Sequence, residues 1–195
     1  MTDDRTIAFY DQQTEAYRKI AESFDNRHLA RLMQGLPPGA AVLDLGCGPG
    51  QDSRALARAG FRVTAMDASA EMIRQAAMHE GVTTRHAPFA ALDDVGAFDA
   101  VWASFSLLHA PKADFPAHLA AIHRALKPGG VLALSLKTGT GESRDALDRF
   151  YAYYSEDELT ELLTAAGFRI ADIQRGTSRG MAGTDDPFVT ITAHA

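Results

Sequence analysis

The chain has 195 residues, 46% of them hydrophobic and 23% charged, with a formal net charge of −6 at pH 7. This is globular composition, enough for one domain over 1–195 with its own core, and it excludes a disordered chain and any general attraction to nucleic acid or anionic membranes. The single cysteine, Cys47, cannot form an intrachain disulfide, the N-terminal stretch is acidic without an apolar signal core, and no apolar run is long enough to span a bilayer; the expectation is a cytoplasmic protein.

Residues 4–34 read as one or two helices carrying the aromatics Phe9, Tyr10, Tyr17 and Phe24. Short β-rich runs then alternate with helical patterns. "AAVLDL", "FRVTAMD", "VTTRHA", "AFDAVWASF" and "GVLALSLK" predict strands; "QDSRALARAG", "SAEMIRQAAMHEG" and "DFPAHLAAIHRALKPGG" predict helices with glycine stops. Regular β-α alternation implies a parallel sheet covered by helices on both faces. "KTGTGESRDALDRFYAYY" reads as a long connection, with Arg144 and Arg149 on a short helix. "SEDELTELLTAAGF" is a capped helix from Ser155 to Gly167, and "FRIADIQRG" and "DPFVTITAHA" close the chain as a strand hairpin. Trp102 reads as core, "LKPGG" as a helix terminator, and His118 and His123 as solvated surface. The absence of H-E-x-x-H or a cysteine cluster predicts no metal site.

The stretch "VLDLGCGPG" carries the chemistry. Glycines at 46, 48 and 50 follow a strand and precede a helix, where they admit a ligand close to the main chain at the carboxyl edge of the sheet. A dinucleotide fingerprint would place its third glycine one residue later, where Gln51 stands, and a P-loop would end in Gly-Lys-Ser/Thr. Asp44 would repel a pyrophosphate and suits a ligand bearing an ammonium or sulfonium. Asp67 ends the second strand, 21 residues after Gly46, where a carboxylate can accept from both hydroxyls of a ribose.

Together with "VTAMDAS", "FDAVWASFSLLH" and "LKPGGVLALS", these residues resemble a class I S-adenosylmethionine-dependent methyltransferase, over roughly residues 40–136. The resemblance implies a Rossmann-like, doubly wound α/β fold: a mostly parallel seven-stranded sheet with an antiparallel C-terminal strand. It divides the chain into a helical lid at 1–38, a cofactor core at 39–136 and an acceptor side at 137–195. It implies S-adenosylmethionine as cofactor, with Gly46, Cys47, Gly48 and Gly50 lining it, Asp44 holding its amino group and Asp67 its ribose. Ala68 and Met72 would pack the adenine, Ala103 or Ser104 would face the methionyl part, and Tyr17 would close over it. Many relatives carry an acid after the third strand; here that window is "HAPFAAL", which leaves Ala87, Pro88 and Phe89 for the adenine.

Methyl transfer needs alignment, desolvation and, for some acceptors, a base. His109 follows the fourth strand and is the candidate base. Tyr10, Lys137, Arg144, Arg149 and Tyr154 are the candidate acceptor contacts, which suit a small, anionic acceptor. The leading reading is an enzyme methylating a small molecule at O, N or S. The alternatives are a tRNA or protein methyltransferase and a catalytically silent cofactor-binding regulator. Against a nucleic-acid partner, residues 1–35 mix Arg5, Arg18, Lys19, Arg27 and Arg31 with six acids.

Overall fold

The computed structural model describes residues 3–21 and 27–195; Phe24 lies outside the described residues. Two helices, α1 (Asp4–Ala21) and α2 (Arg27–Gly35), precede β1 (Ala41–Leu45). There follow α3 (Gln51–Arg58), β2 (Arg62–Asp67), α4 (Ala70–Ala76), β3 (Val82–His86), β4 (Phe98–Ser104), α5 (Phe115–Ala125) and β5 (Leu126–Lys137). A small hairpin, β6 (Glu142–Arg144) and β7 (Phe150–Ala152), leads to α6 (Glu156–Ala165), β8 (Arg169–Arg179) and β9 (Asp185–His194). The main sheet runs β3-β2-β1-β4-β5-β9-β8, with β9 antiparallel to both of its neighbours.

Local chemistry sets the helix starts. Ser69 Oγ accepts the Met72 N–H at 3.1 Å and Ser155 Oγ accepts that of Glu158 at 3.1 Å, so each supplies one of the donors' missing partners. Glu156, Asp157 and Glu158 place negative charge at the positive end of α6. β1 is buried on both faces, as a central parallel strand must be. Leu43, Val101 and Leu134 meet Leu119 and Ile122 of α5 on one face; Val42, Ala100 and Ala133 meet Leu29, Leu32 and Leu56 on the other. Each fully buried leucine contributes ~2 kcal/mol relative to exposure. Trp102 belongs to this second cluster, as its apolar surroundings predicted.

Three expectations are corrected. First, α5 ends at Ala125, and "LKPGG" already belongs to β5. Second, the connection after β5 contains a hairpin rather than a short helix. Asp145 makes the turn: its Oδ1 accepts the N–H groups of Leu147 at 2.9 Å and Arg149 at 3.0 Å, and Asp148 takes a φ of 60°. Arg144 pairs in register with Phe150, while Arg149 sits at the end of the turn. Third, His118 is buried against Phe89, with ring centroids 5.8 Å apart, instead of facing solvent.

Parallel strands bring the ends of β1, β2, β4 and β5 to one edge, and the chain changes direction between β1 and β4. That switch point opens a crevice, the usual ligand position in such a sheet. β8 and β9 extend past the end of β5: Lys137 pairs with Phe188, and the ladder continues outward to Arg179 and Asp185. The projecting hairpin forms a wall above the crevice. Among the described residues no helix is long and apolar enough to cross a membrane.

Candidate functional site

The turn after β1 is built from close contacts of the main chain. The N–H groups of Gly46 and Cys47 both donate to the Met66 carbonyl, at 2.7 and 3.1 Å. Gly46 has φ +75°, and a Cβ there would lie 2.2 Å from Ser106 Cβ. Its missing side chain therefore admits the loop after β4, where Ser106 Oγ donates to the Leu45 carbonyl at 2.6 Å. Gly50 packs on Ala76 of α4 for a similar reason. Gly48 faces Tyr17 at van der Waals distance and, like Gly46, borders open space. Gly46 thus serves both the fold and the opening, Gly48 the opening, and Gly50 the fold.

Two adjoining cavities, of about 100 and 490 Å³, meet at this turn. Gly46, Gly48, Tyr10, Tyr17, Ser104, Phe105 and His109 border both. The smaller one also contains Asp67, Ala68, Met72, Phe89 and His118. Asp67 is oriented by main-chain donors: Gly48 N–H to Oδ2 and Ser69 N–H to Oδ1, each at 2.9 Å. Each oxygen keeps a lone pair for a ligand hydroxyl. Burial raises its pKa above the usual carboxylate range.

The larger cavity begins at Asp44, Cys47, Gln51, Asp52 and Trp102. Asp44 accepts from Ser53 Oγ at 2.6 Å, and Asp52 accepts from Trp102 Nε1 at 2.8 Å. Burial, reinforced by the neighbouring Asp52 charge, pushes the Asp44 pKa upward. A positive ligand group would relieve both. Among the described residues, Gln51 Oε1 is buried without a hydrogen-bond partner. An orphaned acceptor beside acids short of positive charge fits a ligand with an ammonium group. Cys47 lines the cavity as a buried thiol, its pKa raised by burial, and is suited to packing rather than attack.

α1 closes the waist between the cavities. Asp11 Oδ1 accepts from Ser69 Oγ at 2.5 Å, which ties α1 to the start of α4. Thr6 Oγ1 accepts the Phe150 N–H at 2.9 Å, which ties it to β7. Between them Tyr10 reaches His109, with 2.9 Å from its hydroxyl to Nε2. His109 Nδ1 lies 2.6 Å from the Phe150 carbonyl. A carbonyl only accepts, so Nδ1 carries the proton, Nε2 is the acceptor and Tyr10 donates to it. Arg149 Nη1 donates to the Tyr10 oxygen at 3.2 Å, and Asp145 pairs with Arg149 at 2.6 Å. Burial depresses the His109 pKa to about 4.

The expected residues divide accordingly. Asp44, Gly46, Cys47, Gly48, Asp67, Ala68, Met72, Phe89, Ser104, Tyr17, Tyr10, His109, Lys137 and Arg149 come together around the two cavities. Gly50, Ala87, Pro88 and Ala103 stand behind the lining. Arg144 and Tyr154 lie away from it. Arg144 pairs with Asp3 at 2.6 Å, and Tyr154 is buried against Phe115 beneath Lys112. Sequence reasoning missed Asp11, Ser106, Phe105 and the part that the expected β8–β9 hairpin plays in lining the cavity. Phe105 adopts φ +52°, rare for a bulky residue, and its ring meets Phe188 edge-on at 5.2 Å. Only the run Gln51-Asp52-Ser53, directly after the glycines, carried a local signal.

The chain is similar to known methyltransferases. Residues 42–130 match the model of a methyltransferase domain. The chain is 40% identical over 105 residues to the ubiquinone biosynthesis O-methyltransferase of Xanthomonas campestris pv. campestris (strain B100), covering 50% of this chain and 43% of that protein. The chain thus spans less than half the length of that relative. It is 31% identical over 173 residues to the malonyl-[acyl-carrier protein] O-methyltransferase of Pseudescherichia vulneris, covering 83% of this chain and 65% of that protein. Among solved structures, the Burkholderia thailandensis 1,6-didemethyltoxoflavin-N1-methyltransferase, bound to 1,6-didemethyltoxoflavin and S-adenosylhomocysteine, superposes with a TM-score of 0.80 at 28% identity. That match covers 98% of this chain and 87% of the other.

Proposed function

We propose that this chain, a member of the class I S-adenosylmethionine-dependent methyltransferases, moves the methyl group of that cofactor to an O, N or S atom of a small-molecule acceptor by in-line displacement. The observation that carries the reading is the pair of joined cavities under one glycine turn, with an acid at each of the two places the cofactor needs one. Asp67 takes the ribose hydroxyls. Ala68, Met72 and Phe89 enclose the adenine. Asp44 and the orphaned Gln51 Oε1 take the amino group, and Gly48 lets the methionyl part lie against the main chain. The bound cofactor supplies a carbon already activated by the sulfonium, so the protein's work is to bind, orient and exclude water.

Residues 1–38 form the lid, 39–136 the cofactor core and 137–195 the acceptor side of a cytoplasmic enzyme. Tyr17 covers Gly48, and Tyr10, braced by His109 and Arg149, fixes the lid where the cavities meet. His109 enters as a positioning residue for Tyr10, since both its ring nitrogens have partners. Lys137 and Arg149 belong to the acceptor side.

Isothermal titration with S-adenosylhomocysteine tests this directly. The wild type should bind. Asp67→Ala should lose about 1–3 kcal/mol, roughly a 5- to 150-fold weaker Kd, because charge-assisted bonds to the ribose disappear. Unchanged affinity in that variant would remove Asp67 from the site, and no binding by the wild type would end the reading.

A further inference from the structure

α5 carries a polar side chain where its packing calls for an apolar one. Phe115, Leu119 and Ile122, spaced at i, i+4 and i+7, form the stripe that this helix buries against the sheet. His118 stands three residues after Phe115 and next to Leu119, so the rotation that buries the stripe also carries it inward. Only 8% of its surface is accessible. Among the described residues neither of its ring nitrogens has a hydrogen-bond partner. Those nitrogens are not sealed in protein as the orphaned Tyr154 hydroxyl is, and the smaller cavity, which His118 lines, is the space open to them. A buried polar group without a partner is costly unless a ligand supplies one.

Its neighbours say what that ligand group is. The Phe89 ring meets His118 edge-on, with centroids 5.8 Å apart, and also lies 3.4 Å from where a Gly46 Cβ would stand. Phe89 thus links α5 to the glycine turn, and with Ala68 and Met72 it encloses the proposed place of the adenine. Adenine presents an exocyclic amino group, a donor that needs an acceptor once it is out of water. The bordering segment after β3, "APFAA", offers no polar side chain. The other candidate acceptors of this cavity are committed. Asp67 is positioned for the ribose, and Asp3 accepts the Thr6 N–H at 2.9 Å and pairs with Arg144 at 2.6 Å. The free lone pair of His109 is taken by Tyr10. Burial lowers the His118 pKa, so at pH 7 its imidazole is neutral and one ring nitrogen keeps an open lone pair.

We propose that His118 reads the adenine: the unprotonated nitrogen of its imidazole accepts a hydrogen bond from the 6-amino group of the bound cofactor. The proposal rests on the methyl-transfer reading and deepens it, since it assigns cofactor selectivity to a helix outside the βαβ unit that carries the glycine turn and Asp67. His118 touches the cofactor far from the reacting methyl group, so its effect falls on binding and on the choice of base.

The test titrates the full chain at pH 7 with S-adenosylhomocysteine and with the analogue that has hydrogen in place of the 6-amino group. The wild type should prefer the amino ligand by about 10-fold, the worth of one well-made buried hydrogen bond. His118→Phe keeps a flat ring beside Phe89 but has no nitrogen. It should bind S-adenosylhomocysteine about 10-fold more weakly, while its affinity for the analogue stays within about 3-fold of the wild type's. His118→Gln, whose amide oxygen accepts, should regain part of the preference. A merely structural role would weaken both ligands alike. A second measurement needs no substitution: in the wild type, the nitrogen NMR resonance of the unprotonated His118 ring atom should move upfield with S-adenosylhomocysteine and much less with the analogue. A wild type that binds both ligands equally overturns the proposal while the methyl-transfer reading stands. So does a preference that survives in His118→Phe, or a resonance that answers both ligands alike. A wild type that does not bind S-adenosylhomocysteine overturns both.

Discussion

The proposed cofactor end and the proposed acceptor end of the crevice are held by different forces. At the cofactor end, main-chain groups position the functional atoms: Asp67 is fixed by two backbone N–H donors and the glycine turn by the Met66 carbonyl. At the acceptor end, side chains from remote segments position one another: Tyr10 from α1, His109 from the loop after β4, and Arg149 with Asp145 from the turn between β6 and β7. Backbone geometry is local and stiff, so it tolerates little change. Side-chain networks can be rebuilt with other residues, which lets one cofactor scaffold serve many acceptors.

The largest expected effect lies in the stiff half. Gly46→Ala forces a side chain into a left-handed conformation and against Ser106 Cβ, 2.2 Å from the built position. Strain and overpacking together should cost about 4 kcal/mol in a urea melt. Adding Ser106→Gly should restore part of it. If Gly46→Ala alone is neutral, close packing against Ser106 does not hold the turn.

A middle-sized effect belongs to the side-chain half and depends on pH. Burial lowers the His109 pKa from 6.5 to about 4, so between these values the unfolded chain binds the proton more readily. The stability linked to this residue is complete above pH 6.5 and is lost as the pH falls toward 4, by at most ~3 kcal/mol. Asp44 and Asp67 have raised values and act in the opposite sense, Asp44 over the whole of this pH range, equally in both proteins. Urea melts from pH 7 to 4 should therefore fall less steeply for His109→Gln than for the wild type. Parallel profiles would mean that His109 titrates normally.

The smallest effect separates real couplings in the acceptor half from incidental ones. Arg5 and Asp148 lie 3.4 Å apart with side chains 69% and 61% exposed. Arg5→Ala should shift the melting temperature by less than ~2 °C, because exposed pairs are screened by water. A larger shift would show that this contact helps to hold α1 against the β6–β7 hairpin.

Much of the fold was legible because β-α alternation, glycine stops and serine caps are short-range patterns. The strands from 40 to 137 and the helix after Ser155 stand where the periodicity puts them. The β6–β7 hairpin was not legible. Its strands have three residues each, and its turn depends on how Asp145 directs its carboxylate, a choice that composition does not encode. His118 was misread for a related reason: its partner, Phe89, is distant in sequence.

For the candidate site, sequence alone brought together the residues of the proposed cofactor half. Asp44, the glycine turn and Asp67 belong to consecutive elements of one βαβ unit, whose right-handed connection leaves few ways to arrange them. Tertiary structure decided the acceptor half. It turned His109 toward Tyr10, neutralised Arg149 with Asp145, removed Arg144 and Tyr154 from the cavity and brought the β8–β9 hairpin over it. Apart from the Arg149–Asp145 pair, those contacts join residues distant in sequence, as much as 141 positions apart. No local pattern specifies such pairs, because they form only once independent elements have packed and their charges compete for the same partners.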